Sequence, residues 1–512
     1  MDILFINPPV GENYQSLKSD YSAVEPPTWA LLLAESMRSE GYTVGILDAN
    51  AEDLNNEEIY YRIKNLKPRL ISFVVYGQNV NAGTTNMSGA LCISNYLKSK
   101  DINILISFIG SYVQALPFKA LKDEKSIDFV FTNEAVYSLR NILKLNKFDN
   151  DNFSKIKGIA YRNGNEIQIN PPEKVVPNEK MDKDLPGYAW DLLPYKYIPL
   201  DLYRSPLWHA EYDYEKRSPY AAIQTSLGCQ FKCSFCMINL INRNDSEEIG
   251  VSSNYSGMRY WSPEFIIKEF EKLIKMGVKT IKITDEMFLL NKKFYLPLCK
   301  KLSQINEDDS LRMWAYSRID TVKNPDTLAI VRKAGIKWLC LGIESGDQKV
   351  RLEVAKGKFD DVDVRKVINQ VHAADIEVMA NYIFGLPGDD RETIKKTYDL
   401  SVELCTSGWN TYAAMALPGS LLYKQAIEEH IRLPESYSGF SFHAYDTVCL
   451  PTEKLEAWEI LKLRDEAFTN YHSNPRFINR IISRFGKKAA ENIKTMNKLK
   501  LKRKIIEEKL NK

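Results

Sequence analysis

No continuous apolar run approaches 18 residues in this 512-residue chain, so no stretch has the length that a membrane-spanning helix needs. The opening Met1-Asp-Ile-Leu-Phe5 carries an acidic residue and only a short apolar run, which is not the pattern of a signal peptide. A cytoplasmic, reducing location is the expectation, and there clustered cysteines mean metal or redox work and not a disulfide framework. A dinucleotide fingerprint is also missing: Asn7-Pro8-Pro9 follows the first apolar run where G-x-G-x-x-G would be needed, which argues against an NAD site. Cysteine is scarce. Of eight, Cys92, Cys299, Cys340, Cys405 and Cys449 are scattered singly, and no second C-x-x-C knuckle exists to complete a zinc site.

The other three cysteines fall within eight residues, in Ser226-Leu-Gly-Cys229-Gln-Phe-Lys-Cys233-Ser-Phe-Cys236. Tyr220 to Thr225 just before them has the pattern of a short buried strand, so the thiols sit on a loop leaving a strand's C-terminal end, where α/β folds bind ligands. Three thiolates on one loop can converge on a soft metal centre, for which iron–sulfur clusters and zinc are the usual occupants.

Composition is that of a globular protein, 44% apolar and 26% charged, and the length allows two or three domains. The net charge of +3 hides a split: residues 474–512 carry 13 Lys/Arg against 3 Asp/Glu, leaving about −7 on the rest. Such a tail suits an anionic partner, or else a solvated helix with apolar positions at Ile493, Met496 and Leu499; no aromatic stacking set accompanies it, so nucleic acid is not the expected partner.

Residues 1–150 alternate strands (Ile3–Ile6, Thr43–Leu47, Leu70–Val75, Asn103–Ile109, Phe129–Phe131) with helical patterns at Thr28–Gly41, Asn56–Leu66, Met87–Ser99 and Pro117–Lys122. Apolar strands with crossover helices predict a Rossmann-like, doubly wound parallel sheet. Residues 151–215 form a proline-punctuated linker with a β-hairpin around Asn163-Gly164. From 216 to 425 a second series places strands at Tyr220, Thr280–Ile283, Arg312–Tyr316, Trp338–Gly342, Glu377–Phe384 and Thr411–Met415, six strands with helices between, which predicts a partial (β/α)6 TIM barrel. Residues 426–512 are expected to form a cap, with a helix at Lys454–Tyr471, and the basic helical tail; His443, Tyr445 and Cys449 are possible relay groups there, and His209 lies on the approach to the cysteine loop.

The spacing C-x3-C-x2-C with an aromatic before the last cysteine resembles the signature of radical S-adenosylmethionine (SAM) enzymes. The loops after the later strands continue the resemblance: Thr284-Asp285-Glu286, Ser317-Arg318, Gly342-Ile-Glu344-Ser345-Gly346, Gly385-Leu-Pro387-Gly388 and Pro418-Gly419 recur in order between Tyr220 and Pro451. It implies that Cys229, Cys233 and Cys236 hold a [4Fe–4S] cluster whose free iron chelates SAM. Phe235 would lie against the adenine, Asp285 and Glu286 would accept from the SAM ammonium, Arg318 would take its carboxylate, Glu344 and Ser345 the ribose, and Gly385 and Gly388 would let backbone approach the cofactor.

The first 150 residues resemble the cobalamin-binding domain that precedes many radical SAM cores, through Asn7-Pro8-Pro9, Pro26-Pro27, Asp48-Ala-Asn50 and Gly110. The implied cobalamin residues are Asn7, Pro8, Asp48, Asn50, Gly110, Ser111 and Glu134. Departures are clear: Asn50 stands where the cobalamin motif has His, Ser111 follows Gly110 where a second Gly is usual, and Thr132-Asn133-Glu134-Ala135 replaces Gly-Glu-Gly-Glu, so side chains at Ser111, Thr132 and Asn133 could crowd a corrinoid.

The resemblance implies reductive SAM cleavage to a 5′-deoxyadenosyl radical, and with methylcobalamin the C-methylation of an unactivated carbon of a small molecule, served by an external electron donor such as flavodoxin or ferredoxin. Radical cyclisation, rearrangement or oxidation without methyl transfer is the alternative; a metal-binding nucleic-acid module using the basic tail is remote. A methylthiotransferase is not expected, since residues 1–150 hold only Cys92.

Overall fold

The structure, a computed structural model, describes residues 1–10, 13–17, 21–77, 80–205, 219–243, 245, 257–322, 324–354 and 362–510. Two sheets organise it, the first mostly parallel and the second wholly so. The first contains β1 (Ile3–Asn7), β2 (Val44–Asp48), β3 (Leu70–Val75), β4 (Leu105–Gly110), β5 (Phe129–Phe131), β6 (Ile159–Asn163) and β7 (Glu166–Ile169), in the order β2-β1-β3-β4-β5-β6-β7. β1 to β5 are parallel, and all six residues of β3 are buried, as a central strand covered on both faces requires. The strand order reverses between β1 and β3, which puts a crevice at their C-terminal ends, the place where doubly wound sheets bind ligands.

The hairpin expected in the linker is present, but it is not a separate unit. β6 pairs antiparallel with β5 and extends the first sheet. Phe153 packs on both Phe129 and Tyr161, and Ile159 pairs with Phe131, all of them buried, so apolar facing residues drew the hairpin onto the sheet edge.

After β8 (Tyr220–Ile223), the short strands β9 (Ser226–Leu227) and β10 (Arg259–Tyr260) pair antiparallel and brace the cysteine loop from both sides. The second sheet continues with β11 (Thr280–Ile283), β12 (Arg312–Arg318), β13 (Ile336–Glu344), β14 (Glu377–Phe384) and β15 (Gly408–Ala413). Its order is β8-β11-β12-β13-β14-β15, every pair parallel, which is the partial (β/α)6 barrel. Helices such as Pro263–Lys275, N-capped by Ser262, cover its outside through an amphipathic face of Ile266, Phe270 and Leu273.

The basic C-terminal segment is a packed part of the fold. Its helices Pro475–Phe485 and Lys487–Lys498 bury Phe477, Ile481, Ala489 and Ile493, and Phe485 stacks on Trp338 with ring centroids 5.6 Å apart, closing the barrel at the far end from the cysteines. Arg480 and Arg484 pair with Glu377. No helix among the described residues is long and apolar enough to cross a membrane.

Candidate active site

β8 delivers the chain into the cysteine loop through a turn at Gly228, whose φ of +85° and whose closeness to the Asn242 side chain leave no room for a Cβ. Cys229 is buried, while Cys233 and Cys236 are half-buried. The Phe231 N–H donates to Cys229 Sγ at 3.5 Å, and the Cys236 N–H to the Cys233 carbonyl at 3.1 Å. Burial pushes each of the three thiols up to about 12, and each is raised further by the charge of another of the three, so they lie within electrostatic reach of one another. Among the described residues no three His, Cys, Asp or Glu side chains close on a point that one ion could occupy. Any metal centre on this loop must displace the protons of these thiols on binding.

Across from the loop, the ends of the barrel strands place the predicted cofactor groups in two different situations. Glu286 and Glu344 are half-buried, and neither is hydrogen-bonded among the described residues. Burial raises both carboxyls from an ordinary 4.5 to about 7. Glu344 sits at a β-bulge between β13 and β14 with φ +65°, a strained conformation for a non-glycine residue, and a Cβ on Gly342 would strike its Oε1. Both carboxylates thus keep acceptor capacity to spare, and their charges reach the cysteine loop, Glu286 at Cys229 and Cys236 and Glu344 at Cys233. Phe235 packs against an apolar cluster of Val350, Ile383, Leu386 and Ala414, so the loop residue before Cys236 reaches the C-terminal ends of β14 and β15.

Asp285 and Ser345 have other employment. Asp285 accepts from the Thr225 N–H, the Thr225 hydroxyl and the Ser226 hydroxyl, each at 2.6 Å, and so clamps the exit of β8 to the exit of β11. Ser345, fully buried, lies 3.2 Å from the Thr397 hydroxyl and accepts from the Asp347 N–H at 3.1 Å. Arg318 forks onto Asp320 through Nε and Nη2, both at 2.6 Å, stacks 3.7 Å over the Phe231 ring, and its charge draws the Cys233 and Cys229 thiols down. Gly385 and Gly388 have φ of +81° and +85°; the Asp389 carboxylate caps the N–H groups of Gly385 and Leu386.

At the edge of the first sheet the predicted residues are mostly spoken for. Asp48, fully buried, accepts from Asn7 Nδ2 at 2.8 Å, the Tyr203 hydroxyl at 2.7 Å and the Ala51 N–H at 3.0 Å. Asn50 accepts from the Val10 N–H at 3.3 Å, and Pro8 is buried. Glu134 accepts from the Val176 N–H at 2.5 Å and pairs with Arg259 at 2.7 Å. Thr132 and Asn133 are buried, and Asn133 Nδ2 donates to the Glu173 carbonyl at 2.7 Å. Gly110 leads straight into the short helix Ser111–Ala115, where Tyr112 meets Tyr437 edge-on. Yet Thr84 Oγ1, Ser111 Oγ and Gln114 Oε1, all buried on the helices that flank this edge, have no hydrogen-bond partner among the described residues. Unpartnered buried polar atoms are costly, and they fit an edge that takes a hydrogen-bonding ligand.

Several residues at the site carried no motif. Lys282 is an almost fully buried lysine on β11, paired with Glu25 at 2.8 and 2.9 Å and lying 4.9 Å over Trp314. A charge inside the apolar strand Thr280-Ile-Lys-Ile283 was its only sequence signal. Asn381, Asn410 and Tyr412 form a polar chain on β14 and β15, and all three are half-buried. His443 packs on Phe442 and Tyr14, Tyr445 donates to Glu507, and Cys449 is buried; His209 lies outside the described residues.

Comparison with known proteins agrees with this geometry. The model of the Radical SAM superfamily matches residues 223–401. An uncharacterized methyltransferase of Pyrococcus horikoshii is 24% identical over 93% of this chain and 94% of its own length. The anaerobic magnesium-protoporphyrin IX monomethyl ester cyclase of Cereibacter sphaeroides is 23% identical over 92% of this chain and 70% of its own length. In fold the chain is similar to the radical SAM methyltransferase TsrM from Kitasatospora setae, solved with tryptophan and a SAM analogue, at a TM-score of 0.66 and 15% identity over 97% of this chain and 98% of that one. The same enzyme has been solved with cobalamin and a [4Fe–4S] cluster bound. Residues 223–401 are a radical SAM domain, and along most of its length the chain is similar to the enzymes named above.

Proposed function

We propose that this protein is a cobalamin-dependent C-methyltransferase that acts on an unactivated carbon of a small-molecule substrate. The observation that carries the reading is the meeting of two parallel-sheet edges: the turn after β3 hydrogen-bonds directly to the cysteine loop after β8, so a ligand of the first sheet and a cluster on the second would share one cleft. When bound, the cluster supplies an electron, SAM a cleavable carbon–sulfur bond, and the corrinoid a transferable methyl group. The protein's own groups bind and orient. Cys229, Cys233 and Cys236 hold the cluster, with Arg318 favouring the thiolate forms of Cys229 and Cys233. Glu286 and Glu344 accept from the ammonium and hydroxyl groups of SAM, and Asp285 and Ser345 keep the loops that carry those acceptors in place. Thr84, Ser111 and Gln114 would offer hydrogen bonds to the corrinoid. Asn50 is committed to the β1 loop and supplies no histidine ligand to its lower face.

An external one-electron donor such as a flavodoxin or ferredoxin is required, and the cysteine loop reaches the surface at Gln230 and Lys232. Eight free thiols support a reducing, cytoplasmic setting. Radical cyclisation or oxidation without methyl transfer is the second reading, favoured by the likeness to the cyclase and by the full engagement of Asp48. Anaerobic purification with cobalamin supplied, followed by counting of iron, sulfide and corrinoid, separates them. Four irons with stoichiometric corrinoid supports methyl transfer; four irons without corrinoid, even at high cobalamin, leaves the second reading.

A further inference from the structure

We infer that Asn81 is a positioning residue contributed by the first sheet to the cluster, holding the Cys236 end of the cysteine loop and raising the reduction potential of the centre. Asn81 lies in the turn Val80–Ala82 between β3 and the helix Gly83–Ser99. Its amide is used at both ends: Oδ1 accepts from the Met237 N–H at 3.1 Å, and Nδ2 faces Cys236 Sγ at 3.7 Å. The orientation is forced, because a backbone N–H can only donate and so must meet the oxygen, which turns the NH₂ toward sulfur.

The same interface is tied by Arg243, which donates to the Gln114 carbonyl, and by Gly419, packed between Leu240 and Ala115, so the first sheet also meets the segment that follows the cysteine loop. A donor to a ligating sulfur drains charge from it and favours the reduced, more negative cluster. Asn81 thereby makes the reducibility of the barrel's centre depend on the turn that closes the crevice of the other sheet. The inference rests on the cluster assignment of the cysteine loop, and not on the corrinoid.

The test is an anaerobic redox titration of the full-length, reconstituted protein without SAM, followed by electron paramagnetic resonance, with iron and sulfide counted in each sample. Wild type, Asn81→Leu and Asn81→Asp are compared. Leu removes both hydrogen bonds; Asp keeps an acceptor for Met237 but puts negative charge at the sulfur. Both variants are expected to shift to lower potential, with about a tenfold smaller reduced-to-oxidised ratio at a fixed donor potential, equivalent to about 59 mV for one electron. Should Leu lose its cluster, the Asp variant decides. Four-iron protein with an unchanged potential in Asp overturns the inference, because a residue that only braces the loop would alter cluster retention and leave the potential where it was. Absence of a four-iron cluster from wild type would instead overturn the cluster assignment.

Discussion

The two sheet edges occupy equivalent places, each at the C-terminal ends of parallel strands, yet their polar groups are in opposite states. At the barrel edge Glu286 and Glu344 have no hydrogen-bond partner among the described residues, and burial holds both carboxyls near neutral pKa. At the other edge Asp48 and Glu134 are also buried carboxyls, but Asp48 is met by three donors of the protein itself, and Glu134 by the Val176 N–H and the Arg259 guanidinium. A carboxylate kept partnerless in the interior costs stability, and a fold tolerates that cost where a ligand will later supply the partner. The barrel edge is therefore built as a site, while the sheet edge is largely built as an interface, with Thr84, Ser111 and Gln114 as its remaining ligand-facing capacity.

The largest expected effect is at the cysteines. Cys233→Ala should abolish cluster retention and SAM cleavage together, measured by iron content and 5′-deoxyadenosine formation; cleavage that survives would remove the barrel edge from the comparison. Next comes the structural carboxylate: Asp48→Ala strands the donors of Asn7, Tyr203 and Ala51 in the interior and should cost about 2–4 kcal/mol in urea unfolding. A near-neutral result would show that the sheet edge is not locked.

At the barrel edge the analogous changes should spare the fold and injure binding. Glu286→Gln or Glu344→Gln is expected to weaken SAM binding about 10- to 100-fold at pH 8, by calorimetry on cluster-loaded protein. Because these carboxyls lose their protons only near pH 7, wild-type affinity should rise from pH 6 to 8, and each substitution should flatten that rise. The linked stability runs the other way. Their pKa values are raised on folding, so their contribution is complete below about 4.5 and lost as pH climbs through about 7. The double Gln variant should therefore be more stable than wild type at pH 8, by on the order of 1 kcal/mol per site, with the gain vanishing toward pH 4.5. Smallest of all, Ser111→Ala should stabilise the cofactor-free protein by about 1 kcal/mol or less while reducing corrinoid retention a few-fold.

Much of this molecule is legible without its coordinates. Alternating apolar runs and caps place all six barrel strands, and Phe129–Phe131, Thr280–Ile283 and Glu377–Phe384 have the bounds expected from pattern alone. Strand periodicity and cysteine spacing are local properties, written within a few residues of one another. The hairpin at Ile159–Ile169 was equally legible as a hairpin, but its attachment to β5 depends on strand pairing with Phe129–Phe131, some thirty positions earlier.

The division between free and engaged carboxylates could not be read that way. Asp285 and Glu286 are neighbours with the same chemistry, and only the position of Thr225 and Ser226, sixty residues upstream, decides that one is a clamp and the other an open acceptor. Asn81 touches Cys236 across 155 positions, and Glu25 neutralises Lys282 across 257. The sequence by itself determined the elements, their order and the presence of a three-cysteine loop at a strand end, because each follows from periodicity and spacing along the chain. Tertiary structure alone decided which polar groups face a ligand and which face the protein, because a hydrogen bond is satisfied by whatever group folding brings within about 3 Å, wherever that group lies in the chain.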